Sequence, residues 1–128
     1  MYQSEVAQNQ YQQMAVQTAS PEKLLLMLYD GVIRFSKGAI QELNNHNYEN
    51  AHKYLLKVQD AINELIINLN MEFDISKQLL NLYEYFIRRL VEANTSKDPA
   101  KVEEVLGFMI ELRDTWAQAA LITKKATG

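Results

Sequence analysis

The sequence predicts an all-α fold, an antiparallel four-helix bundle, and three observations carry that prediction. Apolar residues recur at alternating spacings of three and four along four stretches of the chain. Only four glycines and two prolines occur in 128 residues, and both prolines stand where a helix would begin. The stretches are joined by a few residues each, which turns every helix back along its predecessor. No strand-type alternation competes with this pattern, and no solenoid-type repeat of roughly 20 to 50 residues is present.

The first 19 residues differ in kind from the rest. Gln3, Gln8, Gln10, Gln12, Gln13 and Gln17 make them polar, and Glu5 is their one charged side chain. This is the composition of a flexible N-terminal tail. Its scattered apolar residues, Tyr11, Met14 and Val16, would also let it latch onto the bundle as a short docked segment.

Ser20-Pro21-Glu22 reads as an N-cap, a proline in the first turn and an acidic side chain facing the positive helix end. It opens a first helix over 21–43, with Leu25, Leu28, Val32, Phe35, Ala39 and Leu43 on one face. Gly31 and Gly38 cost this helix about 1 kcal/mol each in propensity, and lacking side chains they permit close helix approach. Asn47 starts a second helix over 48–70, carrying Ala51, Leu55, Val58, Ile62, Leu65 and Leu69. Asp74 starts a third over 75–95, with Ile75, Leu79, Leu82, Phe86, Leu90 and Ala93. Asp98-Pro99-Ala100 repeats the Ser-Pro signal and opens a fourth over 99–123, with Val102, Val105, Met109, Leu112, Trp116 and Ala119. The chain thus divides into a tail, 1–19, and a bundle, 20–128, whose helices are each about 33 Å long at 1.5 Å per residue.

Composition closes off several function classes. A mass of 14.8 kDa is one domain, large enough to fold without staples. The absence of cysteine removes disulfides, thiolate nucleophiles and Cys-based metal sites together. Thirteen Lys and Arg against sixteen Asp and Glu give a net charge of −3, with no basic block to meet a phosphate backbone. Nucleic acid is not an expected partner. No apolar run is long enough to insert into a membrane, and the opening Met-Tyr-Gln-Ser-Glu lacks the features of a signal peptide. A cytoplasmic location is expected.

Chemistry is equally sparse. Glu49-Asn50-Ala51-His52 has the Glu-x-x-His spacing of di-iron bundles, but such sites need two copies, and the other histidine, His46, falls in a loop. Ala51 lies on the core seam, which turns His52 to the flank. No phosphate-cradling loop, nucleophile elbow or His-Glu-x-x-His occurs. Asp30, Asp60 and Glu64 read as solvated helix faces. Neither catalytic activity, a cofactor nor a metal is expected.

The apolar residues outnumber what the seams require. The third helix carries a second stripe, Leu80, Tyr83, Ile87 and Val91, and the second adds Tyr54, Leu56, Ile66 and Ile67. Apolar side chains left in water forfeit about 1.5–3 kcal/mol each that a partner would recover. An amphipathic helix is the partner that fits a groove between two helices. Tyr54, Ile62, Ile66 and Leu69 of the second helix, with Leu80, Tyr83, Ile87 and Val91 of the third, are the candidate lining. The same surplus equally suits a wide closed core or the face of a structural homodimer.

One stretch goes further. Thr18-Ala19-Ser20-Pro21-Glu22-Lys23-Leu24-Leu25-Leu26-Met27-Leu28-Tyr29-Asp30-Gly31 closely resembles the signature of the FliS family of flagellar secretion chaperones. Leu82-Tyr83-Glu84-Tyr85-Phe86-Ile87-Arg88-Arg89-Leu90-Val91-Glu92-Ala93-Asn94 resembles that family's third helix, and Arg113-Asp114-Thr115-Trp116 the end of its last. The resemblance implies a helical bundle that binds the disordered C-terminal helical region of flagellin in apolar grooves. It implies that binding blocks premature polymerisation and helps deliver flagellin to the type III export apparatus, an export-gate component being a further partner. It also implies a tail, here with Tyr11 and Val16 at matching positions, that covers part of the surface when flagellin is absent. The tail departs from the family pattern at Gln8, where an aromatic residue often stands, which leaves Val6 or Met14 to take its place.

Overall fold

Four helix starts and three short turns set the architecture. The computed structural model describes residues 20–127, with side chains through residue 119. Helix α1 spans Pro21–Asn44, α2 Tyr48–Ile67, α3 Asp74–Ser96 and α4 Pro99–Thr127, and no strand occurs among the described residues. Ser20 caps α1, its Oγ accepting from the Lys23 backbone N–H at 3.3 Å. Asp98 does the same for α4, accepting from the Ala100 N–H at 3.0 Å. At the other two starts the chain bends where expected, but no side chain caps. Asn47 occupies the cap position of α2 without a cap bond, and Phe73 occupies that of α3. Asp74 is instead the first helical residue, where its charge faces the positive helix end.

Helix α2 stops short of the expected end at residue 70. The Asn68 side chain donates to the Glu64 carbonyl at 2.7 Å, and Asn70 Oδ1 accepts from the Glu72 N–H at 3.0 Å. Asparagine side chains here take over backbone groups that further helix would have used. The two turns at the opposite end of the molecule each place one non-glycine residue, His46 and Lys97, at φ 58°. Each reverses the chain through the left-handed region at the cost that region carries for an L-residue.

The helices form a ring in which α1 packs against α2 and α4, and α3 closes it from the far side. The α1 faces are the extensive ones and α3 sits more lightly on both neighbours. Gly38 sets the approach of α1 to α2, since a Cβ there would lie 2.7 Å from Cε1 of Tyr54. Gly31 has no such role, because its Cβ would meet only Phe35, at 4.0 Å.

Inward-facing residues of all four helices make one core, including Val32 and Leu43 of α1, Leu55 and Val58 of α2, Phe86 and Leu90 of α3, and Val105 and Met109 of α4. Ile75, expected on the α3 seam, is exposed, because it lies in the first turn of α3 beyond the end of the core. Within the core the Tyr29 and Tyr83 hydroxyls hydrogen-bond to each other, and Trp116 Nε1 donates to the Tyr29 hydroxyl at 3.1 Å. Burial raises both tyrosines above the ordinary phenol range, Tyr83 the more strongly because Tyr29 stands beside it, so both stay protonated. None of the helices, over the described residues, is long and apolar enough to cross a membrane.

Candidate binding groove between α2 and α3

The groove is defined by one polar contact and the helical period. Asn94 Nδ2 of α3 donates to Nδ1 of His52 on α2 at 2.7 Å, which fixes the antiparallel register of the two helices. Two turns further along, that register sets Gln59 opposite Ile87, and two turns further again Ile66 opposite Leu80. Ile66 and Ile87 are half-buried against the core, Leu80 is half-buried, and Val91 is 48 % exposed. No ion pair and no second hydrogen bond joins α2 to α3 among the described residues. The result is a shallow apolar trough, polar at the His52–Asn94 end and open at the end nearest the α2–α3 turn.

Several residues expected to line it lie elsewhere. Tyr83 is only 1 % exposed and Ile62 is fully buried, so both are core. Tyr83 can turn inward because Tyr29 satisfies its hydroxyl, and it packs edge-on to that ring at a centroid distance of 6.4 Å. Tyr54 lies on the opposite flank of α2, against Gly38 of α1 with the Lys57 ammonium 5.8 Å from its ring. Leu69 falls beyond the end of α2, half-buried against the core. The groove is therefore Ile66, Leu80, Ile87 and Val91. Gln59, His52 and Asn94 belong to it as well; the seven-residue spacing of His52, Gln59 and Ile66 held that information, but only once a register was known. The tail residues Tyr11, Met14 and Val16 lie outside the described residues.

The other edge of α3 is built differently. The Tyr85 hydroxyl donates to Glu104 Oε1 and Arg89 Nε to Glu104 Oε2, both at 2.6 Å. Arg89 also pairs with Glu92 at 2.9 Å, and Lys101 approaches Glu92 at 3.6 Å. The Tyr85 hydroxyl and Arg89 hold the Glu104 carboxyl below the usual carboxylate range, and Glu104 raises both the Tyr85 phenol and the Arg89 guanidinium. Between α1 and α2, Phe35 is flanked by cations, with the Arg34 guanidinium 4.9 Å and the Lys57 ammonium 5.4 Å from its ring. Of these edges, that between α2 and α3 carries a row of partly exposed aliphatic side chains, Ile66, Leu80, Ile87 and Val91, with Gln59 among them. Among the described residues no three metal-binding side chains converge, and His52 is exposed with Asn94 as its partner.

A family model described as "Flagellar protein FliS" matches residues 3–123. The chain belongs to the FliS family. It is 39 % identical over 115 residues to a flagellar secretion chaperone FliS of Bacillus subtilis, covering 90 % of this chain and 86 % of the relative. It is 34 % identical over 110 residues to that of Escherichia coli, covering 84 % and 81 %, and 35 % identical over 107 residues to that of Salmonella typhimurium, covering 81 % and 79 %. The match thus covers all but the last residues of the bundle and most of the tail. The groove between α2 and α3 lies inside the matched region, as does the Tyr29–Tyr83–Trp116 cluster beneath it.

Proposed function

We propose that this chain is a cytoplasmic export chaperone that binds the disordered C-terminal region of flagellin, with the α2–α3 groove receiving one amphipathic helix of the client. The observation that carries this is the row of Ile66, Leu80, Ile87 and Val91, left partly in water on a member of the FliS family. A client that folds onto such a surface buries apolar area that neither molecule buries alone, which keeps it from polymerising before delivery to the export apparatus. The groove needs no catalytic group for this, and we assign the protein no reaction. The tail, residues 1–19, acts in this reading as a latch, with Tyr11, Met14 and Val16 occupying apolar surface until the client displaces them.

Calorimetry with a flagellin C-terminal peptide tests the proposal. Binding is expected at micromolar concentration or tighter, with a negative heat-capacity change and a gain of helix. Ile87→Glu and Val91→Glu should each weaken it about tenfold, equivalent to about 1.4 kcal/mol, without loss of the helical circular dichroism spectrum. Absence of heat and of helix gain would overturn the reading. Removing residues 1–17 should raise the client association rate, and an unchanged rate would remove the latch. Sedimentation is expected to give a monomer; a client-independent dimer at low micromolar concentration would instead assign the apolar edge to self-association.

A further inference from the structure

The groove has two unlike ends, and the difference gives it a direction. His52, Gln59 and Ile66 recur every seven residues along α2, so His52 ends the line that Ile66 begins. From His52 to Ile66 is about 21 Å, the length of a helix of about 14 residues. The polar bridge at the His52 end is oriented one way. The Lys97 ammonium can only donate, and it donates to Asn94 Oδ1 at 3.1 Å. This turns the Asn94 amide nitrogen, also a donor only, to His52 Nδ1 at 2.7 Å. Nδ1 therefore accepts, and the ring hydrogen stands on Nε2. The Tyr48 ring, 5.7 Å from Lys97 Nζ, holds the ammonium at this end of the bundle. Both acceptors of the bridge are engaged within it, whereas His52 Nε2–H and the spare Lys97 hydrogens make no hydrogen bond among the described residues. To a docking chain this end offers donors.

At the other end the donors of the α2–α3 turn point back into the turn. Asn68 Nδ2 donates to the Glu64 carbonyl, the Glu72 N–H to Asn70 Oδ1, and the Ser76 hydroxyl to the Asn70 carbonyl at 2.6 Å. Charge and helix dipoles do not choose between the ends. Ionic side chains of both signs stand at each, Lys53 with Glu49 at one, and Lys23, Lys77 and the Lys124-Lys125 pair with Glu22, Glu72 and Asp74 at the other. The amino end of α2 and the carboxyl end of α3 meet beside His52, so their opposite dipoles offset. The donors of the bridge remain. A docked helix ends in four carbonyls that lack intrahelical partners, and these need donors. Given the groove as the client site, we propose that the client helix lies parallel to α3, its C-terminus at the His52–Asn94 end and its last carbonyls accepting from His52 Nε2 and Lys97 Nζ.

Paramagnetic broadening in the isotope-labelled full chain reads the direction. The probe is a flagellin C-terminal segment of roughly 18 residues, chosen as the one that shifts the Ile87 amide resonance and carrying a nitroxide at one end or the other. With the nitroxide at the C-terminus of the probe, amides around His52 and Asn94 are expected to broaden. With it at the N-terminus, those around Ile66 and Leu80 should broaden instead. The reverse pattern, or equal broadening at both ends from either label, overturns the proposal and leaves the groove standing as the client site. If no segment shifts Ile87, the groove itself is lost as the client site, and the direction with it. His52→Ala should weaken binding about threefold, the scale on which one donor acts at a helix C-terminus. Lys97→Gly should do the same, and because residue 97 stands at φ 58°, where glycine is at ease, this variant keeps its fold. In both variants the two labels should each broaden both ends, as a helix without its donors settles either way round. Unchanged affinity and an unchanged pattern in the two variants would overturn the assignment of direction to the bridge.

Discussion

The two edges of α3 solve the same packing problem in opposite ways. Against α4 the helix is strapped by Tyr85, Arg89 and Glu104, with Glu92 and Lys101 extending the network, and Phe108 covers Phe86 at a ring distance of 5.6 Å. Against α2 it has one hydrogen bond and a row of half-exposed aliphatic side chains. Polar straps fix geometry and leave a partner little to gain. An apolar edge held by dispersion alone is weakly specified, and covering it recovers free energy. The helix that packs most lightly on its neighbours is thus closed on one side and available on the other.

The largest expected effect separates two members of one stripe. Tyr83 and Ile87 stand one turn apart on α3, yet Tyr83 completes the core and Ile87 lines the groove. Tyr83→Ala should cost about 3–5 kcal/mol in urea unfolding, since it leaves a cavity and removes one of the two partners of the Tyr29 hydroxyl. Ile87→Ala should cost about 1 kcal/mol, because much of the side chain is already in water, and its effect should appear mainly in client affinity. Equal destabilisation by the two would mean that the α2–α3 edge is core.

That pair also shows where sequence reading succeeds and where it stops. The helices, their starts and the seams follow from local rules, because period and cap chemistry depend on residues a few positions apart. Ser20-Pro21 and Asp98-Pro99 could be read without any tertiary contact. The flank a second stripe faces depends on register. Tyr54 and Ile66 both looked like surplus apolar residues of α2, but Gly38 draws one towards α1 while the His52–Asn94 pairing directs the other towards α3. Tyr83 misled for a further reason, since its burial requires a hydroxyl partner, Tyr29, that lies 54 positions away. The polar strap was hidden likewise, because Tyr85 and Arg89 meet Glu104 across two helices.

A substitution outside both edges provides the reference. Gly107 of α4 has nothing within 4 Å of where a Cβ would stand. Gly107→Ala should therefore stabilise the protein by about 1 kcal/mol through helix propensity alone, raising the unfolding midpoint without altering client binding. A change in binding would show that α4 participates in the groove from a distance.

The strap predicts a pH dependence that the groove edge should lack. Because the Tyr85 hydroxyl, and with it Arg89, holds the Glu104 carboxyl below its ordinary range, the folded state binds its proton less readily than the unfolded chain does. The stabilisation is present above the unfolded carboxyl value, about 4.3, and is lost as the pH falls through the lower folded value. Glu104→Gln should flatten this part of the acid limb in thermal unfolding, while Ile87→Ala should leave its shape unchanged. An unaltered limb in the Glu104 variant would show that the network does not hold the edge in solution.

The smallest expected effect tests the one polar bridge across the groove edge. Lys97 Nζ donates to Asn94 Oδ1 at 3.1 Å, which turns the Asn94 amide nitrogen towards His52, so His52 Nδ1 must accept. Asn94→Ala removes the bridge and leaves the apolar row in place. Because the contact is exposed, global stability should change by no more than about 0.5 kcal/mol. The difference should appear locally, as faster amide hydrogen exchange in the C-terminal half of α3 and the first turns of α2, with the strapped α3–α4 edge unaffected. If exchange instead quickened equally along both edges, α3 would be moving as one body, and the contrast between its strapped and open sides would have no dynamic counterpart.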